Sequence, residues 1–108
     1  MKFLWTMVVI LLGTTTYAQA TDVETGRKIF KKTCAVCHNL TDKKKVGPGL
    51  KGVYGRSSVA EIGTLTEEKL HRWLKNPRGV KPRTRMPTYK VMADPVNRQA
   101  MIDFLQTL

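Results

Sequence analysis

The chain is short and strongly basic. It has 108 residues, with 19 Lys and Arg against 8 Asp and Glu and a formal net charge of +11. This length excludes a multidomain organisation, and two cysteines are too few for the disulfide framework of many small exported proteins. The charge indicates acidic proteins, anionic membrane surfaces or nucleic acid as partners, with a simple solvated basic surface as the alternative.

Residues 1–20 are typical of a secretory signal peptide. Lys2 gives a charged start, residues 3–13 form an apolar run, and Ala18-Gln19-Ala20 is a small-x-small cleavage site. Because the run is shorter than the roughly 20 residues that span a bilayer, we expect cleavage after Ala20 and no stable membrane insertion. An uncleaved membrane anchor is the alternative. The expected mature domain, residues 21–108, keeps every charged residue except Lys2.

A first helix is predicted from Asp22, a suitable N-cap, through about Cys34. Its inner face follows helical spacing and contains Val23, Gly26, Ile29 and Phe30. A glycine inside a helix is less favourable than alanine by about 1 kcal/mol. Gly26 therefore indicates that another helix packs closely against this position.

The stretch Cys34-Ala35-Val36-Cys37-His38 has the spacing of a c-type haem attachment site. Cys34 and Cys37 can each form a thioether with one haem vinyl group, and the imidazole of His38 can then serve as an axial ligand to the iron. These are the only two cysteines in the sequence. The motif predicts one covalently attached haem c.

Three other interpretations of the two cysteines fit the sequence less well. A thioredoxin-like redox pair would need a βαβ pattern, which the surrounding sequence does not show. A zinc site formed by Cys34, Cys37 and His71 would lack a clear fourth ligand. A disulfide between cysteines so close in sequence would be strained and would close almost no loop.

Haem attachment has consequences for the whole chain. Because bacteria attach this haem on the outer side of the cytoplasmic membrane, we expect a periplasmic protein without nucleic-acid partners. A mature domain of residues 21–108 also buries too little apolar surface to be comfortably stable alone. We therefore expect the haem to form much of the core and the apoprotein to be largely unfolded.

The segment after the haem motif is irregular. Gly47-Pro48-Gly49-Leu50 forces a turn. This turn either reverses the chain and does nothing more, or supplies a carbonyl that accepts a hydrogen bond from His38 and strengthens the imidazole as a ligand. Residues 52–56 continue as glycine-rich irregular chain.

A middle helix is predicted after Thr66, because this cap is followed by two glutamates in the first turn. Its apolar stripe contains Leu70, Trp73 and Leu74. Asn76-Pro77 ends the helix. His71 lies off the stripe, which predicts a surface position and not a metal ligand.

Residues 81–89 form a loop that carries a conspicuous methionine. Two prolines keep the loop extended, so Met86 has no evident packing role there. Its thioether is a soft ligand suited to the sixth position of haem iron. Met92 is the rival candidate, a site without a side-chain ligand is a further alternative, and Met101 lies where a core role is expected.

A last helix is predicted from Asp94 as cap and Pro95 at the first position. Its apolar face contains Val96, Ala100, Met101, Phe104, Leu105 and Leu108. Phe104 is expected to pack against Gly26 and Phe30, which would bring the two ends of the domain together. No strand pattern is present, so the predicted fold is all-α.

The chain resembles the class I (monohaem) cytochrome c family, in its small bacterial form, across nearly all of residues 22–108. The matching stretches are residues 26–30 (GRKIF), 34–38 (CAVCH), 46–50 (VGPGL), 52–56 (GVYGR), 70–77 (LHRWLKNP) and 82–86 (PRTRM). The resemblance implies the cytochrome c fold, with three to five short helices around one haem attached through Cys34 and Cys37.

The resemblance also implies roles for individual residues. His38 and Met86 would be the axial ligands, and the Pro48 carbonyl would orient His38. Two further residues would lie near a haem propionate, Arg56 and Thr84. Trp73 would line the pocket.

Two departures from the family pattern stand near the haem. Leu65 occupies the place where the mitochondrial branch has a tryptophan that bonds a propionate. Arg83 replaces the usual glycine before Thr84. These changes affect the propionate environment and the approach to Met86.

The function implied by the resemblance is that of a periplasmic electron carrier in a respiratory chain, not an enzyme. Its basic surface would meet acidic redox partner proteins in transient encounters, and the carrier would be a monomer. One alternative is a haem c subunit of a multi-component oxidoreductase acting on sulfur compounds or an alcohol. The other is a sensor with an open sixth position, against which Met86 argues.

Overall fold

The computed structural model describes residues 10, 12–13 and 18–108. Most of the predicted signal peptide, residues 1–20, lies outside the described residues and stays a prediction. Over the described ranges the chain is helical, and its only β-type pairing is an isolated bridge between Val59 and Gly63. The all-α prediction is confirmed. No helix of this part combines the length and the apolar character needed to cross a membrane.

Four α-helices and two irregular helical turns make up the described fold. In chain order they are α1 (Ala18–Ile29), a π-helical turn (Phe30–Cys34), α2 (Glu67–Lys75), α3 (Pro77–Val80), a 3₁₀ turn (Lys90–Ala93) and α4 (Pro95–Leu105). The remaining chain, mainly residues 35–66 and 81–89, is loop and turn.

Helix α1 begins earlier than predicted. It starts at Ala18, so Asp22 lies inside the helix and its assignment as the N-cap is wrong. The physical reason is local propensity, since the alanine-rich sequence before Asp22 favours helix. The predicted end is correct, but the last turn widens to a π turn in which Ala35 N donates to Phe30 O at 2.9 Å. This wide turn leads directly into the haem motif.

Helices α1 and α4 cross at Gly26, as the glycine inside α1 predicted. A Cβ at Gly26 would lie 2.8 Å from the Ala100 carbonyl carbon and 2.8 Å from Phe104 Cβ, so only glycine allows this approach. The rings of Phe30 and Phe104 pack with centroids 5.7 Å apart, and both side chains are buried. The predicted contact between the first and last helices is confirmed.

Helix α2 has the predicted start and end. The Thr66 hydroxyl accepts a hydrogen bond from Lys69 N at 3.3 Å, and Leu70 and Leu74 are buried. The short helix α3 was not predicted. It forms because the Asn76 side chain accepts a hydrogen bond from Gly79 N at 3.2 Å and Pro77 occupies the first helical position. The same Asn76-Pro77 pair therefore ends α2 and begins α3.

Helix α4 begins at its predicted cap, where Asp94 Oδ1 accepts a hydrogen bond from Val96 N at 2.8 Å. Its buried side chains are Ala100, Met101, Ile102, Phe104 and Leu105. Val96 is 70% exposed, so its assignment to the buried face is wrong. It lies in the first turn, and residues 93–96 are all exposed there.

Candidate haem site

A cavity of about 500 Å³ lies beside the helix crossing, within the size range of protein cofactor sites. Its helical wall is apolar and includes Phe30, Leu70, Leu74, Met101 and Leu105. The other walls come from the haem motif, the glycine-rich turn, residues 56–62 and the loop that carries Met86. A large apolar group with two specific attachment points fits this arrangement.

His38 is held firmly at one wall of the cavity. Its ring Nδ1 donates a hydrogen bond to the Pro48 carbonyl at 2.8 Å, which leaves Nε2 with a free lone pair. Gly47 N donates to Cys37 O at 2.7 Å, so the turn is bonded back to the haem motif. A Cβ at Gly47 would lie 2.8 Å from His38 Nδ1. The ring therefore has a fixed orientation and a fixed tautomer, as a metal ligand requires.

The thiols of Cys34 and Cys37 line the same cavity and are not joined in a disulfide. Burial, with a smaller contribution from the Cys37 charge, raises the pKa of Cys34 to about 11. Burial thus favours the uncharged thiol of Cys34 over the thiolate. No group of three or more potential metal-binding His, Cys, Asp and Glu side chains occurs among the described residues.

The hydrogen bonds of His71 go to residues of α4 and not to the two cysteines. Its Nε2 donates to Gln99 Oε1 at 2.9 Å, and its Nδ1 accepts from Arg98 Nε at 3.3 Å. It is half-buried between α2 and α4, so the predicted surface position is only partly correct. Both ring nitrogens are engaged, which removes His71 as a ligand for the zinc alternative.

The two candidate methionines lie in different surroundings. Met86 is half-buried and lines the cavity, and its backbone N donates to the Thr84 hydroxyl at 3.2 Å. Met92 is 1% exposed, belongs to the hydrophobic core and is not among the cavity-lining residues. The geometry therefore makes Met86 available to a group in the cavity and Met92 a packing residue.

The remaining predicted site residues also line the cavity: Arg56, Trp73 and Thr84. One Arg56 guanidinium nitrogen, Nη2, donates to Gly49 O at 3.0 Å and to Lys51 O at 2.8 Å, so it fixes the turn that follows His38. Trp73 packs against the buried core from a half-buried position.

Several lining residues were not identified from the sequence. Ser57, Ser58 and Val59 border the cavity, and Ser58 has φ of 57°, in the left-handed region. Tyr89 also lines it, and burial raises the Tyr89 pKa, with smaller contributions from Cys37 and Cys34. None of these residues stands in a periodic pattern, so the sequence offered no signal for them.

Comparison with known proteins agrees with this site. The family model described as Cytochrome c matches residues 23–108. The chain belongs to the cytochrome c family. This cytochrome c is 32% identical over 96 residues to cytochrome c2 of Rhodopila globiformis, an alignment that covers 77% of this chain and 90% of the relative.

A second relative is longer than this cytochrome c. The chain is 31% identical over 99 residues to the cytochrome c-type cyt cy of Rhodobacter capsulatus. This alignment covers 81% of this chain and 49% of the relative. It therefore spans about half of that protein's length. Among solved structures, cytochrome cH from Methylobacterium extorquens superposes with a TM-score of 0.68 at 29% identity, covering 81% of this chain and 99% of that one.

Family membership establishes the general chemistry. As a cytochrome c, the protein carries one covalently bound haem c and acts as an electron carrier, not as an enzyme. The haem supplies an iron that changes between Fe(II) and Fe(III). The residues around the cavity fit this group, since a thiol pair, an oriented imidazole and a thioether all border one apolar space.

Proposed function

We propose that this cytochrome c is a periplasmic protein that carries one electron between redox partners on a haem held by His38 and Met86. The observation that carries the proposal is the cavity itself. It places the imidazole of His38, oriented by the Pro48 carbonyl at 2.8 Å, and the thioether of Met86 on the wall of the same apolar space. Cys34 and Cys37 would hold the haem as thioethers.

The two proposed axial ligands have complementary effects. The hydrogen bond from His38 to Pro48 makes the imidazole a better electron donor to the iron. The thioether of Met86 favours Fe(II) and raises the reduction potential. With both axial positions filled, no site for a substrate remains on the iron, as suits a protein that only carries electrons.

The surface around the cavity supports an acidic redox partner. Lys81 and Arg85 line the cavity, and neither side chain makes a hydrogen bond or ion pair within residues 22–108. Val36 and Val46, close to the haem attachment site in sequence, are each 69% exposed. Unpaired cations and exposed apolar side chains suit a partner that is steered by charge and then makes brief apolar contact.

The periplasmic location rests on the sequence. Residues 1–20 have the pattern of a signal peptide with a cleavage site after Ala20. Covalent haem attachment takes place on the same side of the membrane. We further propose that the protein acts as a monomer, since transient encounters need no permanent interface.

The experiment that tests this function compares two methionine variants of protein purified from the periplasmic fraction. Wild type and Met92→Ala should show the sulfur-to-iron charge-transfer band at the red edge of the oxidised spectrum. Met86→Ala should lose this band and bind carbon monoxide when reduced, because its sixth position is open. Met92→Ala should instead lose about 3 kcal/mol of unfolding free energy, as expected for a buried methionine.

Other outcomes would contradict the proposal. A wild-type protein without the band, or one that binds carbon monoxide readily, has no methionine ligand. Loss of the band in Met92→Ala with retention in Met86→Ala would exchange the roles of the two residues. Recovery of the haem protein outside the periplasm would contradict the location, and a native mass above that of the monomer would favour a subunit of a larger enzyme.

A further inference from the structure

The loop that carries Met86 is fastened to helix α4 at its far end. We define the methionine loop as residues 81–93. Its last three carbonyls all accept hydrogen bonds from side chains of α4. Asn97 Nδ2 donates to Val91 O at 3.1 Å, and Arg98 Nη1 donates to Met92 O and to Ala93 O, both at 2.9 Å. These carbonyls end a 3₁₀ turn and have no continuing helix to bond them.

Arg98 is itself held by a chain of side chains between α2 and α4. Its Nε donates to Nδ1 of His71 at 3.3 Å, so the His71 proton lies on Nε2, which donates to Gln99 Oε1 at 2.9 Å. Gln99 Nε2 in turn donates to Glu67 Oε1 at 2.7 Å and to Asp103 Oδ1 at 3.0 Å. Arg98 Nε and Nη1, His71 Nε2 and Gln99 Nε2 all meet acceptors, so the guanidinium has one preferred orientation.

The near end of the methionine loop has only local bonds. Thr84 N donates to Lys81 O at 3.0 Å, and Met86 N donates to the Thr84 hydroxyl at 3.2 Å. A third bond, from Lys81 N to Pro77 O at 2.8 Å, joins this end only to the adjacent short helix α3. The hydrogen bonds that side chains of α4 donate to carbonyls of the methionine loop are therefore concentrated at residues 91–93, and Arg98 donates two of them.

We propose that Arg98 is a positioning residue for Met86. By holding residues 92 and 93 against α4, with His71 as its support, it keeps the methionine loop closed and the thioether on the haem iron. This inference rests on the proposed ligation by Met86. Arg98 touches neither the cavity nor the iron, since it is not among the cavity-lining residues.

The closed and open states of the loop have a measurable consequence. An added ligand that competes with Met86 binds only when the loop is open, so its apparent affinity is proportional to the open fraction. Imidazole is such a ligand for the oxidised haem iron. Arg98→Lys keeps the positive charge but cannot reach His71 and both carbonyls at once, because the ammonium lacks the planar fork of the guanidinium.

The test is an imidazole titration of the oxidised holoprotein. Imidazole binding is monitored by the loss of the sulfur-to-iron charge-transfer band. Arg98→Lys should bind imidazole about tenfold more tightly than wild type, since hydrogen bonds from a charged donor to the loop are lost. His71→Leu leaves the two bonds from Arg98 to the loop in place but removes the bonds of His71 to Arg98 and Gln99, and should give about a threefold gain. Arg72→Lys is the matched control, because Arg72 is exposed on α2 and pairs only with Glu68.

Far-UV circular dichroism at each imidazole concentration separates positioning from general stability. Under conditions where all variants remain folded, a purely structural role would leave imidazole affinity at the wild-type value. If Arg98→Lys, His71→Leu and Arg72→Lys all bind imidazole with the wild-type affinity, the role of Arg98 is overturned and the Met86 ligation is not. A wild type without the charge-transfer band would overturn the Met86 ligation as well, so the two failures are distinguishable.

Discussion

The two halves of this cytochrome c are built on different principles. Where α1 and α4 cross, the polypeptide packs against itself, with Gly26 in contact with α4 and the rings of Phe30 and Phe104 5.7 Å apart. On the other side, loops surround a cavity of about 500 Å³. The side chains at the crossing meet one another directly, whereas His38 and Met86 in the loops border the space that the haem would fill. Protein contacts therefore define one half and haem contacts the other.

Removal of the haem is the strongest test of this difference. In a Cys34→Ser/Cys37→Ser double variant the haem cannot be attached, and most of the far-UV helical signal should be lost, because the predicted mature domain, residues 21–108, has too small a core of its own. Hydrogen exchange should show any remaining protection in α1 and α4. Near-native ellipticity in the double variant, or protection centred on the loops, would contradict the comparison.

A methyl group at the helix crossing should affect the whole fold. Gly26→Ala gains about 1 kcal/mol of helix propensity but overlaps the Ala100 backbone and Phe104, so a net loss of about 2 kcal/mol is expected from denaturant unfolding. The haem spectrum of the folded protein should not change. Lys28→Ala, exposed on the same helix, is the control and should stay within about 0.5 kcal/mol of wild type. A stabilised Gly26→Ala would disprove the close approach.

The same substitution on the haem side should act mainly on the iron and cost less stability than Gly26→Ala. In Gly47→Ala the new methyl group would press on the His38 ring and lengthen its bond to Pro48, which weakens the imidazole as an electron donor. We expect the reduction potential to rise by roughly 30 mV and the unfolding free energy to fall by about 1 kcal/mol. Protein-film voltammetry measures the first quantity. An unchanged potential would mean that Gly47 does not constrain the ring.

The parts of the structure that the sequence predicted are those with local signals. Thr66 and Asp94 cap helices because each provides a side-chain acceptor directly before a helical pattern. Gly26 predicted a helix crossing because a glycine inside a helix needs a packing reason. The haem motif identified Cys34 and Cys37 because that spacing is specific.

The parts that could not be predicted depend on contacts between distant residues. The sequence alone suggests that Arg98 is an ordinary surface cation. Its guanidinium instead donates a hydrogen bond to His71, which lies 27 positions away in the sequence. His71 was placed off the apolar stripe of α2, and the sequence could not show that Gln99 would face it. The lining residues Ser57 and Tyr89 lie in loops whose course depends on the packing of the rest of the chain.

The crossing of α1 and α4 also determines the order of events during synthesis. The two helices that make the protein's own core are separated by residues 30–94, so neither finds its partner until the other end of the domain has left the ribosome. An incomplete chain has no stable packing to form and stays extended. Such a chain would suit the export that we propose for this protein, and its two cysteines would be accessible to haem attachment. Late completion of the core is therefore compatible with export before folding.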